Sequence, residues 1–568
     1  MRRAALATIL FAVPLLAAPA DASVALQDRV AMREVLRGEA RAAASAAIQL
    51  PLPEAPRASA ASATRSIGGD RNSARLLVGV RAHENLPGVA AAVRRLGART
   101  QAFRSIGVLA ATVRSGTAAV ARLRDDPRVA YVERDKKLRL AADPFDVVDP
   151  LTGLKYTWAY DAVAAGDAVV AAGGGSRRTV AVIDTGADVN HPELAGRIAR
   201  TFDTASGGRD VTDVVGHGTF VAGLVSAIDG NGIGGKGVAG ATHVIPVRGS
   251  TNASFTIADL IRGMDFSVRA GADILNMSLA GRGFSRSEAR VLDWAFVNDV
   301  LPIAASGNSA LLGNPLEFPA AALGGRRGGP GIGLSVAALK PDGNPASFSN
   351  HNSYVSLAAP GASGSDCRFG IFSTLPANMN EWDDPLSCSL RFAQGTARFA
   401  YGEGTSVSTP IVAGIAALAW QVEPRLASEQ VADVLVRSAR QTTGTGWNEF
   451  TGSGIVNGGA ATALARTYDV TAPRVRARAR RRGNVVAARV RRSRDRTDPG
   501  RELAGSVSYS LYVSRNGGRS FRPAVNGRGR PFRRLVRVRG RGVNVVVAVA
   551  CDGNGNCGMK RLGRFRAR

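Results

Sequence analysis

The sequence predicts an α/β fold with a doubly wound, mostly parallel sheet, preceded by a small α+β domain and followed by an antiparallel β-sandwich-like domain. Three observations predict it. Over residues 150–466, short apolar runs alternate with helical stretches, the pattern of a parallel sheet covered on both faces. Residues 75–140 read as strand, helix, strand, helix, strand. From 470 to 568 the apolar period falls to two, and turns such as Asn516-Gly517-Gly518 and Asn526-Gly527 interrupt it. At roughly 150 residues per domain, 568 residues allow three to four such units.

In the central region, Thr179–Ile183, His243–Val247, Asp273–Ser278 and Pro302–Ala305 read as buried strands. Phe220–Ala227, Thr256–Ala270, Ser285–Asn298, Ser406–Val422 and Ser428–Ala439 read as helices. In the first unit the strands are Ala74–Val80, Ile106–Val113 and Arg128–Glu133, with helices over Val89–Leu96 and Thr117–Leu123. In the last unit, Val485–Val490, Val507–Val513, Leu535–Val538 and Val543–Ala550 are strands.

Residues 1–22 have the form of a secretory signal peptide. Arg2 and Arg3 precede an apolar run from Ala4 to Leu16, and a small-x-small site follows at Ala18-Pro19-Ala20 or Ala20-Asp21-Ala22. Residues 23–74, rich in Ala, Arg and Ser with three prolines, sustain no apolar period and read as a linker. Lys136–Pro150 reads as an exposed junction.

The net charge is +28, and most of it is local. From Thr471 onward there are about 27 basic and 4 acidic residues, a net of about +23. Such a field attracts anions, and an anionic cell-envelope surface is the expected partner. No aromatic ladder accompanies the arginines, so nucleic acid is not expected. Four cysteines exclude a cysteine-dense scaffold. In an exported chain, Cys367–Cys388 with Cys551–Cys557 is the simplest of the three connectivities open to four cysteines.

Three segments carry chemistry. Val180-Ala181-Val182-Ile183-Asp184-Thr185-Gly186 is a buried strand ending in a carboxylate. Gly216-His217-Gly218-Thr219-Phe220-Val221-Ala222-Gly223 opens an apolar helix with a histidine. Gly402-Glu403-Gly404-Thr405-Ser406-Val407-Ser408-Thr409-Pro410 opens another with a serine. Taken singly, each has a plainer use as a turn residue or a helix cap. Together they match the needs of nucleophilic catalysis. A serine needs a neutral imidazole to remove its proton, and the imidazole needs a carboxylate to hold its tautomer. A strand running into Asn308 adds an amide donor for an oxyanion.

The order Asp, His, Ser and the flanking residues resemble the subtilisin-like serine proteases, with a first unit that resembles their inhibitory propeptide. The resemblance implies Asp184 as orienting carboxylate, His217 as general base then acid, Ser406 as nucleophile and Asn308 as oxyanion donor. It also implies that Ser278, Leu279, Ala280 and Gly281 form the strand that pairs with the substrate backbone. The activity implied is that of a secreted serine endopeptidase, acting through an acyl-enzyme on protein or peptide substrates. Residues 75–140 would be its own intramolecular inhibitor, removed by self-cleavage near 138–150.

No cofactor is required for that chemistry. Glu193 and the loop Asp229-Gly230-Asn231-Gly232 stand where many relatives hold a structural calcium ion. The loop Ser309–Pro319 is mostly apolar, with Leu311, Leu312 and Leu316, and favours apolar residues before the cut, although Glu317 sits among them. Two other readings are weaker. A protease fold retired into an adhesin has no reason to keep the triad and Asn308 together. An α/β-hydrolase would need Gly-x-Ser-x-Gly around its serine and a different chain order.

Overall fold

The computed structural model of the chain describes residues 29–35, 73–114, 116–140, 158–229, 231, 233, 236–329, 331–362, 370–377, 392–442, 446–493, 495, 507–516, 518, 521–538 and 543–566. Residues 29–35, inside the expected linker, form a buried helix, α1. The linker reading fails there because four apolar side chains and an arginine all find partners in the body of the protein.

The first unit is a four-stranded antiparallel sheet in the order β2-β3-β1-β4, with β1 Ser73–Val80, β2 Arg99–Phe103, β3 Val108–Arg114 and β4 Val129–Arg134. Helices α2 (Leu86–Arg95) and α3 (Gly116–Arg124) accompany it. Strand β2 was not expected. Its sequence, Arg-Thr-Gln-Ala-Phe, lies on a sheet edge and is mostly exposed, so it lacks an apolar period. Lys137–Leu140, expected in the exposed junction, is instead strand β5.

The central body holds a seven-stranded parallel sheet in the order β15-β14-β12-β10-β6-β8-β7. These are β6 Thr179–Asp184, β7 Phe202–Asp203, β8 His243–Arg248, β10 Ile274–Met277, β12 Leu301–Ala305, β14 Leu334–Leu339 and β15 Leu357–Pro360. Two short strands, β9 (Ser254–Thr256) and β11 (Leu279–Arg282), lie outside it, as does β13 (Glu317–Phe318). Helices are α4 Trp158–Ala162, α5 Ala165–Ala171, α6 His217–Ser226, α7 Ile257–Ala270, α8 Arg286–Val297, α9 Ala320–Leu323, α10 Thr405–Val422, α11 Ser428–Ser438 and α12 Gly458–Thr467. Strands β16 (Ile371–Leu375), β17 (Phe392–Gln394) and β18 (Ala397–Gly402) form a small antiparallel sheet beside α6.

Strand alternation divides the core in two. Val180 and Val182 join the apolar cluster of α6 and α10, while Ala181 and Ile183 join that of α7 and α8. Helix α10 is apolar all round because it is the buried one, with every residue from Thr405 to Trp420 covered.

The last unit is a pair of antiparallel sheets around a shared core. One is β19-β20-β23, with β19 Arg476–Arg482, β20 Val485–Arg491 and β23 Phe532–Arg537. The other is β22-β21-β24-β25, with β21 Ser508–Ser514, β22 Arg522–Arg528, β24 Val543–Cys551 and β25 Cys557–Arg566. This unit is not a free appendage. Tyr512, Val545, Val547 and Val549 belong to the same apolar cluster as Trp294 and Phe296 of α8. Cutting it away would uncover that face.

Candidate active site

The alternation along β6 decides where Asp184 points. It shares the face of Val180 and Val182, toward α6 and α10, and the first residues of those helices include His217 and Ser406. Asp184 is fully buried, and its Oδ1 accepts the Thr185 N–H at 2.8 Å and meets His217 Nδ1 at 2.7 Å. A carboxylate on Nδ1 holds the imidazole proton there and leaves Nε2 as the basic nitrogen.

Helix α6 is tied down by a residue the motifs did not single out. Asp213 is 1% exposed, and it accepts hydrogen bonds from the N–H groups of Val215, Gly216 and Thr219 and from the hydroxyls of Thr185 and Thr219. It satisfies helix-start donors and stiffens the turn that presents His217. Its one signal in the sequence is an Asp just ahead of a helix. Thr185 completes the link, since its hydroxyl also accepts the Gly218 N–H at 2.9 Å. A Cβ on Gly218 would come to 2.1 Å from the Gly186 carbonyl oxygen, so strand end and helix start meet backbone to backbone.

Ser406 is the second residue of α10 and is fully buried. Pro410 lies past the first turn of α10. Its missing N–H therefore leaves the Ser406 carbonyl without its helical partner. Ser278 takes that carbonyl, donating from Oγ at 2.7 Å, and in turn accepts from Asn276 Nδ2 at 3.0 Å. The side-chain oxygen of Asn308 accepts from the N–H and hydroxyl of Thr405, at 3.0 and 2.8 Å. That fixes the amide plane and leaves Nδ2 pointing away from those partners. Among the described residues, neither Asn308 Nδ2 nor Ser406 Oγ makes a hydrogen bond.

Beside this cluster, β5 lies between β11 and β9 in a four-stranded antiparallel sheet that β13 completes. Leu140 is opposite Leu279, and Arg139 is opposite Ala280. Ser278, Leu279, Ala280 and Gly281 are all buried. The strand that was expected to bind substrate backbone thus carries a segment of the chain itself.

Residues 175–454 match the subtilase family. Alkaline elastase YaB of Bacillus sp. (strain YaB) is 32% identical over 338 residues, which cover 59% of this chain and 75% of that protein. The chain belongs to the subtilase family. Subtilisin E of Bacillus subtilis (strain 168) is 30% identical over 365 residues, 62% of this chain and 80% of that one. The thermophilic serine proteinase of Bacillus sp. (strain AK1) is 29% identical over 329 residues, 56% and 70%. The protein is a serine endopeptidase, acting on proteins or peptides without a cofactor.

One expectation for this subtilase changes at the Ser309–Pro319 loop. Leu311 and Leu312 are 76% and 74% exposed and Leu316 is half-exposed, so they do not form a buried apolar pocket. Glu317 is the covered residue, bonded to Ser309 Oγ and Asn350 Nδ2, and burial raises its carboxyl above the usual range. In the calcium loop, Asp229 is paired with Lys236 at 3.1 Å, and Asn231 donates to Glu193 at 3.2 Å. Cys551 and Cys557 are disulfide-bonded, while Cys367 and Cys388 lie outside the described residues.

If Asn308 Nδ2 is reserved for charge that forms only during reaction, Asn308→Ala should lower kcat by roughly 10²–10³ with little change in KM. Steady-state kinetics on a soluble peptide checks it, and a near wild-type rate would make Asn308 a purely structural residue.

Proposed function

We propose that this subtilase is made as an exported precursor that processes itself, and that Asp184, His217 and Ser406 carry its peptide hydrolysis. The supporting observation is the 2.7 Å Asp184–His217 bond beside the start of α10, where the Ser406 hydroxyl and Asn308 Nδ2 are uncommitted. Ser406 Oγ attacks the carbonyl carbon while His217 takes its proton. Asp184 stabilises the imidazolium, and Asn308 Nδ2 with the Ser406 N–H stabilises the oxyanion. His217 then protonates the leaving amine, and water hydrolyses the acyl-enzyme by the same route.

In this reading residues 1–22 direct export, 75–140 form an inhibitory propeptide, 150–466 the peptidase and 470–568 a separate C-terminal unit. The described residues say nothing of 1–22. The propeptide role rests on β5 lying against β11, and on two acids that cap peptidase helices. Glu133 accepts from Ser285 Oγ and from the N–H groups of Arg286 and Ser287 at the start of α8. Asp135 accepts the Ala258 N–H at the start of α7. Both sit where helix dipoles favour negative charge. With β5 lying against β11, the self-cleavage site is assigned to the stretch near 138–150.

The arginines of β19, β20 and β23 support an anion-binding role for the C-terminal unit. Arg478, Arg489 and Arg533 face one another across three strands, and Arg476 faces Arg491. Like charges so placed are destabilising unless an anion bridges them. Arg489, Arg491, Arg492 and Arg533 also line a cleft of about 390 Å³. An anionic envelope polymer is the partner we assign. For a structural calcium ion, Asp469, Asp495 and Asp552 are a second candidate beside the Glu193 loop, since one oxygen from each lies within 4.8 Å of the others; unchanged thermal stability between calcium and chelator would remove both assignments.

Three outcomes follow. Ser406→Ala should accumulate uncut precursor, while the wild-type mature chain should begin near 138–150. Normal processing of the mutant in protease-free refolding would contradict the mechanism. Second, burial against the propeptide, with Glu133 close by and Lys136 opposing, pushes Glu288 up to about 8, and burial pushes Asp135 to about 6. The bound state therefore holds protons that the separated parts release. Propeptide affinity is greatest below the ordinary carboxylate range and falls as pH rises toward 8. Activity should emerge faster at pH 9 than at pH 6, and Glu288→Gln should flatten the difference; equal lags in wild type would contradict this. Third, Arg478→Gln, Arg489→Gln and Arg533→Gln together should abolish salt-sensitive adsorption to cell envelopes with peptide turnover unchanged. Adsorption indifferent to salt or to these changes would end the electrostatic reading.

A further inference from the structure

Helix α1 lies ahead of the propeptide, yet it is held by the peptidase body. Val30, Ala31, Met32 and Val35 are buried in the apolar cluster that contains Trp294, Phe296, Val297 and Val300. Arg33 is 2% exposed. Its guanidinium donates to both carboxylate oxygens of Glu429, at 2.6 and 2.5 Å, and lies 3.6 Å from Asp299. It also stacks over the Phe296 ring, 5.1 Å from the centroid. One helical turn earlier, Arg29 pairs with buried Asp293 at 3.1 Å. Residues four apart share a helix face, so both arginines and their acids form one seam.

The acids belong to rigid parts of the peptidase. Asp293 is on α8, Asp299 follows its end, and Glu429 is in the first turn of α11. Asp299 Oδ1 also accepts the Ser428 N–H at 2.8 Å, which ties the two helix ends together. Beside Glu429, Gln430 donates to Asn554 and Asn556 of the C-terminal unit. A bidentate arginine–carboxylate pair this deep is held strongly once formed, and losing the arginine strands Glu429 as a buried charge.

We infer that the groove between the end of α8 and the first turn of α11 is a peptide-binding site. It takes a short amphipathic helical turn with arginines at i and i+4, and its own occupant is residues 29–35, which it keeps after the propeptide is cut free. The inference rests on the self-processing reading for its consequence. After hydrolysis near 138–150, the propeptide remains joined to the body through 36–72 and the seated helix. Rebinding is then intramolecular, at an effective concentration on the order of millimolar, so inhibition persists. Full activation needs a second hydrolysis within 36–72, and the mature enzyme carries residues 29–35 as a separate, non-covalent chain.

The test uses the full-length Ser406→Ala protein, nicked with trypsin under native conditions. The stretch 36–72 offers Arg37, Arg41, Arg57, Arg65 and Arg71. After gel filtration, denaturation and mass spectrometry, the enzyme peak should contain a peptide spanning 29–35, uncut after Arg29 and Arg33, in near-equimolar amount. Arg33→Glu should lower that amount at least tenfold, and Arg33→Glu combined with Glu429→Arg should restore it. Loss of the peptide from a folded enzyme peak, or retention unaffected by Arg33→Glu, overturns the site. If the wild-type chain fails to mature while the nicked protein keeps the peptide, the self-processing reading falls and the site stands.

Discussion

A carboxylate with no solvent contact must be bonded, and Asp184 satisfies that demand through His217. Much else in the peptidase body is arranged so that this bond can form. The strand β6 has to end with Asp184 on the α6 face, which its alternation ensures. Helix α6 has to start within reach, which requires glycines at 186 and 218 and the anchoring of its first turn by Asp213. Helix α10 has to bring Ser406 to the same edge of the sheet, and Ser278 grips the carbonyl that Pro410 sets free. The reacting groups are thereby carried on strand and helix ends with little freedom to drift.

The same edge is also where the chain meets itself. Strand β5 adds to β11 through backbone bonds, so recognition there depends little on side chains. Glu133 and Asp135 use the open helix starts of α8 and α7. These contacts hold the α+β unit by groups whose charge is costly to bury. Seating of α1 at the far end of α8 adds a second, independent attachment to the same helix.

The peptidase core was legible because its signals are local and redundant. Five-residue apolar strands and apolar helices can be read by period, and Asp184, His217 and Ser406 each stand at the end of such an element. What escaped reading depends on tertiary context. Arg99–Phe103 pairs only as an edge strand. Asp213 looks like any loop acid until its five donors converge. Leu311 and Leu312 look like pocket residues until the chain turns them to solvent. Residues 29–35 are too short to show a period, and their arginines gain meaning only against acids some 260 to 400 positions away, as the Arg33–Glu429 separation of 396 illustrates. The docking of the C-terminal unit was hidden for a related reason: β24 is apolar at every position but Asn544, which does not say what covers the second face.

The central claim is that Ser406 is the nucleophile activated through His217 and Asp184. The most direct measurement is mass-spectrometric mapping of the adduct formed by a serine-directed fluorophosphonate on the mature enzyme. A single adduct on Ser406, absent after His217→Ala, is the result this account predicts. No adduct on the folded, mature protein, or an adduct on another serine, would contradict it.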